Sequence, residues 1–64
     1  MNTQLRQARE KAALTQVQVA KKAGISERYY QKIEAGTSKP TVDSAILIAH
    51  AVNSTVEELF TPQE

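Results

Sequence analysis

The sequence contains no cysteine, and it has only two glycines, two prolines and one histidine among its 64 residues. Without cysteine the chain can form neither a disulfide nor a thiolate metal site, and His50 alone cannot anchor a metal ion. No apolar run approaches the about 20 residues of a membrane span. The N-terminal segment MNTQLRQARE lacks the apolar centre of a signal peptide. We therefore expect one cytoplasmic domain over residues 1–64 that contacts no membrane.

Basic residues are missing from the second part of the chain. All eight lysines and arginines lie within residues 1–39, together with three acids, which gives that segment a net charge of +5. Residues 40–64 carry four acids and no base, a net charge of −4. This asymmetry favours a basic face that meets an anionic partner, and the alternative is chance scatter over a solvated surface.

Apolar residues recur at helical spacing along the whole chain, and no segment has the alternation of a long strand. The pattern predicts five helices, over residues 3–13, 15–23, 26–35, 42–52 and 55–60. The fourth predicted helix is the most apolar, with an expected buried stripe of Val42, Ala45, Ile46, Ile48, Ala49 and Val52. The sequence thus indicates a small all-α domain stabilised by helix packing, with or without a dimer interface.

Capping signals mark the ends of these helices. Thr15 with Gln18, and Thr55 with Glu58, match the capping-box pattern at the starts of helices two and five. The other expected N-caps are Asn2 or Thr3, Ser26 and Thr41. Residues suited to end a helix are Gly24, Gly36 and Asn53. We expect Pro62 to end the ordered part.

The second and third predicted helices are joined by a very short segment, Ala23-Gly24-Ile25-Ser26. Two short helices with so tight a joint form a helix-turn-helix, whose second helix lies in the major groove of DNA. A polar face of the third helix lies opposite Tyr30 and Ile33 and carries Glu27, Arg28, Gln31 and Lys32. Arginine and lysine donate to guanine and glutamate accepts from cytosine, so this face suits base reading. Groups suited to phosphate oxygens are Ser26, Gln16, the free amides of helix two and Lys39.

Several segments, in this order and at this spacing, resemble the Cro/C1-type (XRE-like) helix-turn-helix regulators of phages and bacteria. They are LTQ, VAKKAGIS, YYQKIEAG, KPTVDSAILIAHAVN and TVEELF, and the resemblance covers residues 5–60. It implies a compact five-helix bundle of the lambda-repressor-like DNA-binding type. It also implies a transcriptional regulator, a repressor by expectation, that binds a pseudo-palindromic operator in double-stranded DNA as a homodimer, formed alone or only on DNA.

The resemblance also assigns roles to individual residues. The base-reading positions correspond to Glu27, Arg28 and Lys32, with Tyr29 beside them. Tyr29 has two open interpretations, contact with DNA or packing against helix four. For the phosphate backbone, the resemblance implies a contact from Gln16, and we expect further contacts from Ser26, Gln31, Thr37 and Lys39. Arg9 and Glu34 correspond to a structural ion pair of the family. Tyr30 departs from the usual aliphatic core residue, so its hydroxyl must find a partner or water.

Helix five leaves a choice open. Its apolar residues Val56, Leu59 and Phe60 either close the core or form the interface with a second copy. The alternative function is that of an antitoxin or adaptor, which would bind a partner protein through helices four and five. RNA polymerase is a further expected partner. No clustered catalytic set occurs in the sequence, and we expect no enzymatic activity, cofactor, metal or small-molecule ligand.

Overall fold

A computed structural model describes residues 1–60 of the chain. This part contains five helices and no strand, which confirms the predicted all-α fold. The helices are α1 (Thr3–Lys11), α2 (Gln16–Ala23), α3 (Glu27–Ala35), α4 (Val42–Ala51) and α5 (Val56–Phe60). None of these helices is long and apolar enough to cross a membrane. Pro62, the expected end of order, lies outside the described residues.

The capping residues act as predicted at most helix ends. The Thr15 hydroxyl accepts from the Gln18 amide at 3.1 Å, and the Gln18 side chain accepts from the Thr15 amide at 2.8 Å. Both hydrogen bonds of the capping box are therefore present at the start of α2. Gly24 and Asn53 adopt the predicted left-handed conformation, with φ of 71° and 56°. The remaining hydroxyl N-caps, each accepting from the amide three residues on, are Ser26, Thr41 and Thr55.

Asn2, rather than Thr3, caps α1. Its side-chain oxygen accepts from the Leu5 amide at 3.0 Å. Its side-chain nitrogen donates to the carbonyl oxygen of Leu59 at 2.8 Å, and its backbone amide donates to the carbonyl oxygen of Glu34 at 2.8 Å. This one residue therefore connects the start of α1 to α3 and α5.

The predicted extent of the first helix was too long by two residues. α1 ends at Lys11, because Ala13 turns into the left-handed region with φ of 59°. The amides of Ala13 and Leu14 then donate to the carbonyl oxygens of Glu10 and Arg9, at 2.9 and 3.1 Å. An L-residue in this conformation costs about 1–2 kcal/mol. The turn redirects the chain into α2 within three residues.

The core is formed by side chains from all five helices. α2 packs against both α3 and α4, while α1 packs against α5 and α3. The largest fully buried side chains are Leu5, Val19, Tyr30, Ile33, Ile48 and Leu59. Because α2 is held on two sides, the orientation of α3 relative to α2 is fixed by packing as well as by the turn.

The predicted buried stripe of helix four was wrong at two positions. Ala45, Ile48, Ala49 and Val52 are buried, but Val42 is 76% exposed and Ile46 is 41% exposed. Val42 is the first residue of α4, and Ile46 lies one turn further along the same edge of the helix. Helical spacing alone does not reveal that no neighbouring helix covers this edge.

Candidate nucleic-acid interface

The outer face of α3 carries four exposed polar side chains, Glu27, Arg28, Gln31 and Lys32. The opposite face of the same helix is buried and consists of Tyr30, Ile33 and Glu34. On the exposed face the Gln31 amide donates to the Glu27 carboxylate at 3.1 Å. Arg28 and Lys32 form no ion pair within residues 1–60. Their positive charges are therefore available to an anionic partner.

Tyr29 lies at the edge of this face and is half-buried against the core. Its hydroxyl accepts a hydrogen bond from the backbone amide of Thr41 at 3.3 Å. Thr41 is the N-cap of α4, so Tyr29 connects the exposed helix to α4. This hydrogen bond agrees with the interpretation that Tyr29 packs against helix four, and contact of Tyr29 with DNA stays a prediction.

The N-terminus of α2 presents free donors. The backbone amides of Gln16 and Val17 donate to no acceptor within residues 1–60, as expected for the first turn of a helix. The Gln16 side chain is half-buried, and its amide nitrogen donates to the Glu34 carboxylate. Free amides at a helix N-terminus bind anions, because the positive end of the helix dipole adds to their hydrogen bonds.

A buried ion pair connects α1 to α3. The guanidinium Nε of Arg9 lies 2.8 Å from the carboxylate of Glu34, and the side chains are 15% and 3% exposed. A second guanidinium nitrogen of Arg9 donates to the carbonyl oxygen of Leu14 at 3.0 Å. The hydrogen bond that Arg9 donates to Glu34 raises the pKa of Arg9 above its usual value. Arg9 therefore holds the turn before α2 as well as the end of α3.

Tyr30 lies beside this ion pair. Its side chain is fully buried, and its hydroxyl has no hydrogen-bond partner within residues 1–60. Burial, and after it the negative charge of Glu34, raises the pKa of Tyr30, so the hydroxyl stays neutral. The partner that the sequence requires for this hydroxyl is thus not found among the described side chains.

The remaining assigned residues border the outer face of α3. Ser26 and Lys39 are exposed, at the start of α3 and in the loop after it. Thr37 is also exposed, and its hydroxyl donates to the carbonyl oxygen of Lys32 at 3.2 Å. Gln31 is exposed on α3 itself, and Gln16 is the first residue of α2. The structure does not contain a group of three or more His, Cys, Asp or Glu side chains in residues 1–60 that could hold a metal ion.

The apolar residues of α5 border a groove of about 920 Å³ between α1, α4 and α5. Leu59 is only 1% exposed and belongs to the core, which agrees with the interpretation that helix five closes the core. Val56 is exposed, and Phe60 is half-buried. With Val42 and Ile46 on α4, these two residues line the open side of the groove.

Three comparisons place the chain among known proteins. A family model described as Helix-turn-helix matches residues 5–59. An uncharacterized HTH-type transcriptional regulator of Archaeoglobus fulgidus is 35% identical over 60 residues, covering 94% of this chain and 86% of the relative. Among solved structures, the SinR protein/SinI protein complex aligns with 95% of this chain, at a TM-score of 0.84 and 22% identity. The present chain spans 61% of that solved chain, and the likeness shows a common fold.

Proposed function

The chain belongs to the Cro/C1-type helix-turn-helix family, and we propose that it is a sequence-specific, DNA-binding transcriptional repressor. The observation that carries this proposal is the exposed face of α3, where Arg28 and Lys32 form no ion pair within the described residues. Residues 1–64 act as one DNA-binding domain in the cytoplasm of a bacterial or phage-infected cell, on the nucleoid. The function is binding, and no catalytic step is part of it.

Base reading is assigned to the first two turns of α3. Arg28 and Lys32 are one helical turn apart, so both reach into the same stretch of the major groove and donate to guanine. Glu27 accepts from cytosine, and its hydrogen bond to Gln31 at 3.1 Å holds the carboxylate on the helix surface. A carboxylate near phosphates disfavours binding to most sequences, so Glu27 contributes discrimination more than affinity.

Phosphate contacts are assigned to groups around that helix. The free amides of Gln16 and Val17 at the N-terminus of α2 support one phosphate site. The exposed Ser26 hydroxyl accepts from the Tyr29 amide and keeps its own proton for a phosphate oxygen. Lys39 supplies a charge from the loop after α3. These contacts fix the position of α3 in the groove and carry no sequence information themselves.

Repression follows when the protein occupies its operator in the DNA. Two copies related by a two-fold axis match a pseudo-palindromic operator whose half-sites lie about 34 Å apart. The exposed side chains of Val56 and Ile46, with the half-buried Phe60 beside them in the groove, support pairing of the copies there. A dimer on such an operator excludes RNA polymerase from an overlapping promoter.

The same apolar groove favours one second candidate, an antitoxin or adaptor that binds a partner protein through α4 and α5. Val42, which is 76% exposed, lies next to this groove together with Ile46 and Val56, and a contiguous exposed apolar patch is typical of a protein-binding surface. DNA binding is compatible with this function, so the two candidates differ in whether sequence-specific DNA recognition occurs without the partner.

The deciding experiment is selection of bound duplexes from a random DNA library at near-physiological salt. An enriched inverted repeat is the expected result, and a single enriched half-site would replace the dimer with a monomeric reader. Arg28→Ala should relax the preference at one base pair at a cost of about 1–3 kcal/mol, whereas Lys11→Ala, on the exposed end of α1, should leave it unchanged. Absence of any enrichment would refute the repressor proposal in favour of the partner-binding candidate.

A further inference from the structure

Glu34 is a buried carboxylate that contacts three separate parts of the fold. It is 2% exposed although it is charged. One carboxylate oxygen accepts from Arg9 of α1 at 2.8 Å, and the other accepts from the side-chain amide of Gln16 at the start of α2. The backbone carbonyl of Glu34 accepts from the Asn2 amide at 2.8 Å. The ion pair with Arg9 uses only one of the two oxygens, and the amide of Gln16 satisfies the second oxygen, which burial would otherwise leave without a partner.

The second contact fixes the orientation of the Gln16 side chain. A glutamine amide nitrogen carries two hydrogens in one plane with its carbonyl group. One hydrogen is directed to Glu34, and the other has no acceptor within residues 1–60. Gln16 is the first residue of α2, beside the free backbone amides of Gln16 and Val17. Because the amide group is planar, holding one N–H sets the direction of the other.

We propose that Glu34 is a positioning residue for DNA binding: it holds the Gln16 amide so that the remaining N–H donates to a DNA phosphate at the N-terminus of α2. This inference rests on the proposed DNA-binding function. A carboxylate is a stronger acceptor than a neutral group, so it holds the amide firmly. A glutamine that is ordered before binding loses little side-chain freedom when the phosphate arrives. Arg9 acts one step further away, by fixing the carboxylate.

A double-mutant cycle tests whether Glu34 acts through Gln16. The variants are Glu34→Leu, which removes the acceptor, Glu34→Gln, which keeps an uncharged oxygen, and Gln16→Ala, alone and combined with each. Binding to a 20-base-pair duplex of mixed sequence is measured by fluorescence anisotropy at about 50 mM salt, where phosphate contacts dominate. The free energy of unfolding of each variant is measured in parallel, and Gln7→Ala, an exposed glutamine on α1, is the control.

The expected result is a three- to tenfold loss of affinity for Gln16→Ala, about the worth of one hydrogen bond. Glu34→Leu should lose as much, Glu34→Gln should lose less, and neither should weaken binding further in the Q16A background. A purely structural role predicts the same additional loss in both backgrounds, and that outcome overturns the inference. So does a Gln16→Ala variant that binds like the original chain. If the original chain itself does not bind the duplex, the proposed DNA-binding function is refuted. If the original chain binds but the losses are additive, only the positioning role of Glu34 is refuted.

If Glu34→Leu does not fold, Glu34→Gln carries the test, since it preserves the volume of the side chain and one acceptor oxygen. Its smaller loss must still vanish in the Q16A background. A loss that persists there overturns the inference in the same way.

Discussion

Removing one member of the buried ion pair should destabilise the protein severely. In Arg9→Met the volume of the side chain is largely kept, but the Glu34 carboxylate, whose side chain is 3% exposed, loses its charged partner. Breaking a buried pair in this way costs about 3–5 kcal/mol. The Arg9 side chain is 15% exposed, so some solvent reaches the pair and we expect a loss of about 3 kcal/mol, at the lower end.

A loss of this size is large for so small a protein. A chain of 64 residues has a free energy of unfolding of about 3–10 kcal/mol at the usual value per residue. The loss corresponds to a fall in Tm of about 12–24 °C for a domain of this size. Thermal and urea unfolding followed by circular dichroism measure both quantities. The double variant Arg9→Met with Glu34→Leu should recover most of the stability, because it leaves no charge behind.

The control is Lys11→Met, which removes an exposed base from the same helix and should change stability by less than about 0.5 kcal/mol. If Arg9→Met lost less than about 1 kcal/mol, the pair would behave like a solvent-screened surface pair. Burial would then not strengthen the pair, and Glu34 would not be a firmly held carboxylate.

Three further predictions follow from individual residues. Tyr30→Phe should raise the free energy of unfolding by about 1 kcal/mol, measured by urea unfolding, because it removes a buried hydroxyl without a partner in residues 1–60. Gly36→Ala should destabilise more than Gly24→Ala in the same assay. Both have positive φ, but a Cβ at Gly36 would lie 3.1 Å from the Met1 nitrogen, whereas nothing lies within 4 Å at Gly24. Lys39→Ala should weaken binding to all duplexes alike. It should also make the negative slope of log K against log salt shallower by about one.

Each of these has an outcome that would contradict it. A loss of about 1 kcal/mol in Tyr30→Phe would mean that the hydroxyl makes a hydrogen bond. Equal losses for the two glycine variants would mean that backbone strain, and not contact with Met1, sets the cost. A change of base preference in Lys39→Ala would move this residue from phosphate contact to base reading.

The helices were predictable because their signals are local. Thr15 and Gln18 carry the whole capping box within four residues, and Gly24 marks the sharp turn before α3. Local signals failed at Ala13, which adopts a left-handed conformation for which alanine has no preference. Its hydrogen bonds and the packing of α2 outweigh the cost, and both are set by the tertiary structure.

The position of α4 along the chain was more predictable than which of its side chains are exposed. Val42 and Ile46 have the spacing of a buried stripe, yet both are exposed, because their burial depends on whether another helix covers that edge. In contrast, the exposed positions of Glu27, Arg28 and Lys32 on α3 agree with the polar face that the helical period places opposite Tyr30 and Ile33.

The contact between Gln16 and Glu34 could not be predicted from the sequence pattern. The sequence and the family resemblance assign each residue a separate role, one at a phosphate and one in an ion pair. The two are 18 positions apart and on different helices. Only the packing of α2 against α3 brings the amide to the second carboxylate oxygen. A resemblance transfers roles one position at a time and says nothing about such cooperation between them.

The side chain of Asn2 makes a contact that can form only late in the synthesis of this part of the chain on the ribosome. Its hydrogen bond to the carbonyl oxygen of Leu59 spans 57 positions. At about 5–20 residues per second, Leu59 is synthesised roughly 3–11 seconds later. Until then the first turn of α1 lacks its connection to α5, so the hydrogen bond that joins the two ends of the described fold is among the last contacts that can form.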